Sequence, residues 1–371
     1  MVNNASVNYW DYLQVPKLLN LQNGLNDNNV SVDELHFIIV HQVFELWFKQ
    51  VISEIKFVRD KLNVARVEEE NIPIIVHHLQ RVVKILTIAS DHFVLMETLT
   101  PQDFLNFRSK LGTASGFQSF QMRQIELLLG LTKGERENYN HDNPIKFLYE
   151  TSKHSIDGSE IVNLLEKTST EKNLLECVLD WIYRTPIQGS GPNSDNDNDI
   201  VDEFISGYLE RIKEINETQM KKLIEDGGDI NVKTKFEESY NEIYDFLNAV
   251  EFNQSDSKDF KLRMKRIRAG ILFIESYRNF PLVSWPRILI DSIVELEECF
   301  IKFRFNHARM VERIIGRRIG TGGSSGVDYL DETTKYRIFK DLWKIRTILL
   351  PSQNLPPLKN VNYFQFVSEV D

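Results

Sequence analysis

The stretch SVDELHFIIVHQVFELWFKQVISEIKFV, residues 31–58, decides the fold class. Ser31 and Glu34 stand at capping-box spacing, where the hydroxyl accepts from the backbone three residues on and the carboxylate returns the bond. A helix is therefore predicted to start here. In that register Phe37, His41, Phe44, Phe48, Val51 and Ile55 recur at steps of four and three, which puts them on one buried stripe. His41 is the only polar member. A lone histidine on such a stripe reads either as a core imidazole bonded to a neighbouring acceptor or as a functional group facing a pocket.

The pattern returns in PRILIDSIVELEECFIKFRFNHARMVERIIG (286–316), where Leu289, Ile293, Leu296, Phe300, Phe303, His307, Met310 and Ile314 follow the same steps. Again one histidine interrupts an apolar stripe. Two histidines from distant helices can face each other across a pocket, and an apolar, helix-walled pocket with an axial imidazole is how a haem iron is held in a bundle. Other metal sites fit poorly: there is no HExxH and no CxxC, and the adjacent His77 and His78 point in different directions on a helix. Between the two long helices, LTPQDFLNFRSKL (99–111) offers Thr100 as an N-cap, Pro101 at the first helical position and Asp103 at the positive helix end. Phe104, Arg108 and Leu111 share its face. An arginine there either snorkels to solvent or waits for an anion, and a planar carboxylate matches its forked donors.

Outward from these segments the apolar spacing stays helical, and period-two alternation is scarce, so the chain is expected to be all-α. Its 371 residues are 42% hydrophobic, enough for a sizeable core. The polar stretches QGSGPNSDNDND (188–199), EDGGD (225–229) and NQSDSKD (253–259) read as loops. They bracket a charged helical segment, 200–252, expected to lie at the periphery of one domain spanning 1–371. The two cysteines, Cys177 and Cys299, form no disulfide or zinc pattern, which fits a reducing compartment. The amino terminus lacks a basic start with an apolar core, and no apolar run approaches a membrane span, so a cytosolic protein without a membrane partner is expected. A net charge of -10 argues against nucleic acid, and the basic patch KLRMKRIR (261–268) reads as a solvated helix face. GTGGSSG (320–326) follows a helix and ends in no Lys-Ser/Thr, so it makes a poor nucleotide cradle. It reads as a flexible connection or as a lid over a bound ligand.

HQVFELWFKQ (41–50), TPQDFLNFR (100–108), ASGFQSFQMRQIELLLG (114–130), FRFNHARMVERIIG (303–316) and GTGGSSG (320–326) resemble, in order and spacing, the signature segments of the tryptophan 2,3-dioxygenase family. The resemblance is strong in these blocks and weak from about 131 to 260. It implies a helical haem b (heme) enzyme, usually a homotetramer, that inserts both atoms of O2 across the indole C2–C3 bond of L-tryptophan to give N-formyl-L-kynurenine. By position it implies that His307 is the proximal iron ligand and that His41 is the distal histidine near the indole N–H. It likewise implies that Arg108 clamps the substrate carboxylate, that the Thr321 hydroxyl meets the ammonium and carboxylate, and that Phe37 and Phe104 wall the indole. Ser115 matches a serine near the distal histidine, and Tyr9 and Tyr12 match tyrosines that reach a neighbouring subunit's pocket.

Several positions depart from the family pattern. After the glycine-rich loop the chain reads Val327, Asp328, Tyr329, Leu330, Asp331, with Asp331 where an arginine is usual. Phe44 replaces a tyrosine, and Phe303 and Phe305 replace the Trp and Tyr of Trp-Arg-Tyr. Such changes can loosen haem contacts or alter substrate choice. The alternatives to tryptophan dioxygenation are therefore a related haem enzyme that oxidises a modified indole or inserts one oxygen atom rather than two, and a helical interaction protein without haem.

Overall fold

The computed structural model describes residues 7–24, 29–131, 148, 157–227, 232–252, 257–320 and 326–364. Among them the structure is helical, with only an isolated bridge between Ile187 and Ser190 outside the helices and turns. Helices of seven residues or more are α1 (Val32–Leu62), α2 (Asn71–Asp91), α3 (Pro101–Arg108), α4 (Phe120–Leu129), α5 (Gly158–Thr170), α6 (Leu174–Arg184), α7 (Asp197–Glu225), α8 (Val232–Leu247), α9 (Lys258–Ser276), α10 (Pro281–Ile315), α11 (Val327–Thr333) and α12 (Lys340–Thr347). The caps lie where the sequence puts them. Ser31 Oγ accepts from the Glu34 N–H at 3.2 Å, and Thr100 and Asp103 close a full capping box with Pro101 in the first turn.

The chain groups into two compact units. The first comprises Met1–Glu54, Arg81–Glu171 and Glu298–Tyr336. Its core is built from the first turns of α1, the end of α2 and the last turns of α10, with α3, α4 and α11 around them. Phe44, Phe48, Phe93, Phe303, Met310 and Ile314 are buried there. Packing of α4 on α5 includes a buried hydrogen bond from Gln124 Nε2 to Thr168 Oγ1, 3.1 Å.

The second unit comprises Ile55–Gln80, Lys172–Glu297 and Arg337–Asp371. Here α6, α7 and α12 pack on α9. A Cβ at Gly270 would meet the Ile182 side chain at 3.0 Å and the Ile182 carbonyl at 3.2 Å, so only glycine lets α6 and α9 come this close. The basic patch on α9 is not a solvated face. Arg266 and Arg268 are each only 3% exposed. Arg266 pairs with Asp197 at 2.7 Å and Arg268 with Asp341 at 3.1 Å, while Lys265 reaches Asp202 at 2.8 Å. A buried guanidinium needs a counter-charge, and the acidic partners come from α7 and α12, far away in sequence. Segment 200–252 likewise begins inside this unit's core. Val201, Phe204, Ile205, Tyr208, Leu209 and Ile212 are buried along one face of α7, and the Tyr208 hydroxyl accepts from the Leu350 N–H at 2.9 Å. From Leu223 and Ile224 to the end of α7 the helix is exposed.

Residues 71–96 contain a window of mean hydropathy 1.3, long and apolar enough by composition to cross a membrane, contrary to the expectation that no such run exists. Half of that window is buried within the protein. Ile75, Leu79, Val82, Val83, Leu86 and Ala89 form its buried face, while Lys84 and Arg81 stand outside it, the pattern of an amphipathic core helix.

Candidate functional site

The first unit encloses a cavity whose walls come from α1, α3, α4, α10 and α11. His41 and His307, the two histidines that interrupt apolar stripes, both line it. So do Phe37, Phe104, Arg108 and Ser115. Thr321 lies outside the described residues, although Gly320 and Gly326 on either side of it line the cavity. Tyr9 and Tyr12 do not line it. They sit on a four-residue helix, 71% and 77% exposed.

His41 is held by its own helix. Its Nδ1 lies 2.7 Å from the carbonyl oxygen of Phe37, one turn back. A carbonyl only accepts, so Nδ1 carries the proton. Burial lowers the imidazole pKa below its usual value, a shift the Phe37 carbonyl partly opposes, and the ring is neutral at neutral pH. Nε2 is then an unprotonated acceptor. The Phe37 ring lies 4.0 Å from the imidazole centroid and 5.9 Å from Phe104, so an aromatic wall continues from α1 to α3.

His307 comes from α10. Burial pushes its pKa down to about 4, with His41 and Arg123 acting in the same direction. It too is neutral at neutral pH, with a lone pair available for a metal. Around it Phe44, Phe48, Phe93 and Phe303 make an apolar floor, with Phe44 and Phe303 in edge contact at 6.0 Å. The two departures from the family pattern at these positions thus touch one another, and no polar handle is left unpaired between them.

Arg108 ends α3 and is half-buried. Its Nη2 donates to the Ile319 carbonyl at 2.7 Å, just before the glycine-rich loop. The guanidinium is therefore oriented along the cavity rim and does not simply snorkel to solvent. Ser115 accepts from the Phe117 N–H at 3.4 Å and caps the short turn at Gly116–Gln118.

Sequence reading passed over a charged cluster in the same wall. Glu126 Oε1 accepts from Arg304 Nη2 at 2.9 Å, and Glu126 Oε2 lies 2.9 Å from Arg123 Nη1. Arg304 also stacks over Phe300, 4.3 Å to the ring centroid, and donates to the Thr333 carbonyl at 3.3 Å. Two cations thus face one anion, and Arg123 Nε is buried without a hydrogen-bond acceptor among the described residues. The signal was legible: in FQMRQIELLLG, Arg123 and Glu126 at i, i+3 interrupt a run of apolar residues.

A family model described as tryptophan 2,3-dioxygenase matches residues 1–349. The chain belongs to the tryptophan 2,3-dioxygenase family. It is 39% identical to tryptophan 2,3-dioxygenase 2 of Ralstonia nicotianae over 370 residues, 98% of each chain. It is 38% identical to the tryptophan 2,3-dioxygenase of Sorangium cellulosum, over 97% of this chain and 87% of that one. With the enzyme of that name from Dictyostelium discoideum it shares 34% identity over 96% of this chain and 86% of that one. Within a tryptophan 2,3-dioxygenase fold, then, one cavity of this chain joins two neutral imidazoles, an aromatic wall, an oriented rim arginine and a buried excess of positive charge.

Proposed function

We propose that this chain is a haem-dependent dioxygenase that inserts O2 across the indole C2–C3 bond of L-tryptophan to give N-formyl-L-kynurenine, the first step of tryptophan catabolism. The observation that carries the reading is the meeting of His41, His307 and Arg108 in one cavity of a family member. The residues fit haem b. His307 would hold the iron through its neutral imidazole, the four phenylalanines would give the macrocycle an apolar lining, and Arg123 Nε, buried without an acceptor among the described residues, would suit a haem carboxylate. Bound there, haem supplies an iron that can activate O2.

The chain's own groups do the rest. His41 Nε2 accepts the indole N–H, because Nδ1 is committed to Phe37 and the ring is neutral. Phe37 and Phe104 flank the indole and keep water from it. Arg108 pairs with the substrate carboxylate through the donors not used by Ile319, and Thr321 adds its hydroxyl at the ammonium and carboxylate. Ser115 supports the distal side near His41. Fixing the amino acid at both charged groups and at the ring nitrogen orients the reacting double bond, which supplies much of the rate. We further propose a homotetramer in which the exposed Tyr9 and Tyr12 reach a neighbouring copy's site; the support is their resemblance to the family's tyrosines and their exposure.

Purified protein given haem should show a Soret band and, once reduced, convert L-tryptophan to N-formyl-L-kynurenine in air. His307→Ala should lose stable haem binding, whereas His41→Ala should keep haem and lose rate. Folded helical protein that takes up no haem refutes the proposal, and haem uptake with inert tryptophan but an active substituted indole replaces the substrate.

A further inference from the structure

We infer that Phe93 is a positioning residue that fixes the plane of the His307 imidazole by stacking. The inference rests on the proposed role of His307 as an axial ligand. A ligating histidine is normally oriented by a hydrogen bond from its second ring nitrogen to a carbonyl, a carboxylate or water. Among the described residues neither ring nitrogen of His307 makes such a bond. Of the two rings in contact with it among the described residues, the nearer is Phe93, 5.4 Å between centroids and 14° from parallel. Phe303, one turn earlier on α10, is 6.3 Å away and tilted by 32°.

Phe93 can do this because it cannot turn. It opens the four-residue helix Phe93–Met96 directly after α2, is 4% exposed, and is gripped by Phe44 and Phe303 at 5.0 Å each. The chain of contact runs from Phe48 through Phe44 and Phe303 to Phe93 and then to the imidazole. Phe107, equally buried at 1% exposed, packs on Phe37 and Phe104, does not line the cavity and has no ring contact with Phe93 or His307, which makes it the natural control.

The test uses the haem-loaded protein and compares Phe93→Leu, Phe93→Met and Phe93→Tyr with Phe107→Leu. The readouts are the iron–imidazole stretching band of the ferrous form, the rhombic splitting of the ferric electron paramagnetic resonance signal, and haem transfer to an excess of apomyoglobin. Removing the ring in Phe93→Leu and Phe93→Met should shift and broaden both spectroscopic signals. Haem release should be roughly twofold to tenfold faster, the range an aromatic pair is worth. Phe93→Tyr keeps the ring and should restore the wild-type signals. Phe107→Leu should leave them in place, although it removes a comparable buried ring. Wild-type imidazole signals that survive both ring deletions, or that Phe107→Leu disturbs equally, overturn the inference alone. A wild-type spectrum with no axial imidazole defeats the proposed function itself, and the inference with it.

Discussion

Replacing Arg108 with alanine removes a cavity-rim cation already oriented by the protein. Its Nη2 is held by the Ile319 carbonyl at 2.7 Å, so the fork need not be ordered when substrate arrives. A hydrogen bond with a charged partner contributes ~1.5–3 kcal/mol net, and Arg108 is only half-buried, so the estimate stays within that range for the whole carboxylate contact. At about 1.4 kcal/mol per decade this is a loss of about tenfold to 150-fold in kcat/KM for L-tryptophan. Tryptamine has the same ring and amine without the carboxylate, so its turnover should change little and the preference for tryptophan should shrink by the same factor. Arg108→Lys should recover only part, since an ammonium cannot reproduce two parallel bonds. Haem content should be unaffected. The assay is steady-state kinetics on both substrates with haem quantified in each variant. Wild-type kcat/KM for tryptophan in Arg108→Ala would show that the arginine serves only to tie Ile319.

Glu126→Ala should cost ~3–5 kcal/mol in urea unfolding, because it strands Arg123 and Arg304 as buried cations without their anion. A change below about 1 kcal/mol would mean that water compensates them. The haem-free protein should lose stability as pH falls from 6.5 towards 4. In that window the unfolded His307 binds a proton that the folded one, with its pKa near 4, refuses; His41 adds in the same direction. The loss from His307 alone is about 3 kcal/mol, and His307→Phe should flatten it in denaturant titrations at successive pH values. Cys177, whose thiol burial pushes up to about 11, should resist alkylation at pH 8 in the native protein and react on unfolding. Fast native labelling contradicts its burial on the inner face of α6.

The helices and their starts were readable because capping and periodicity are local. Ser31 with Glu34, and Thr100 with Asp103, mark their helices within four residues of sequence. The stripes of α1 and α10 also singled out His41 and His307, since a polar residue in an apolar row announces itself. Periodicity could not say that the two meet, because that depends on how distant segments pack. The basic patch of α9 was misread for the same reason: Asp197 and Asp341 lie 69 and 73 residues from the arginines they neutralise. Burial by a partner remote in sequence leaves no local mark. Arg123, Glu126 and Phe93 were overlooked differently. Arg123 and Glu126 leave a local mark, an ion pair at i, i+3 in an apolar run, but their meaning, like that of Phe93, comes only from the cavity they face.

Both atoms of one O2 are expected to enter tryptophan in this cavity. Turnover of L-tryptophan under 18O2 in ordinary water, with the product mass measured before exchange, distinguishes this from single-atom insertion. Wild-type protein should give a product carrying two heavy oxygen atoms, and His307→Ala should give none. A wild-type product carrying a single heavy atom would contradict it and make the chain a mono-oxygenase built on the same scaffold.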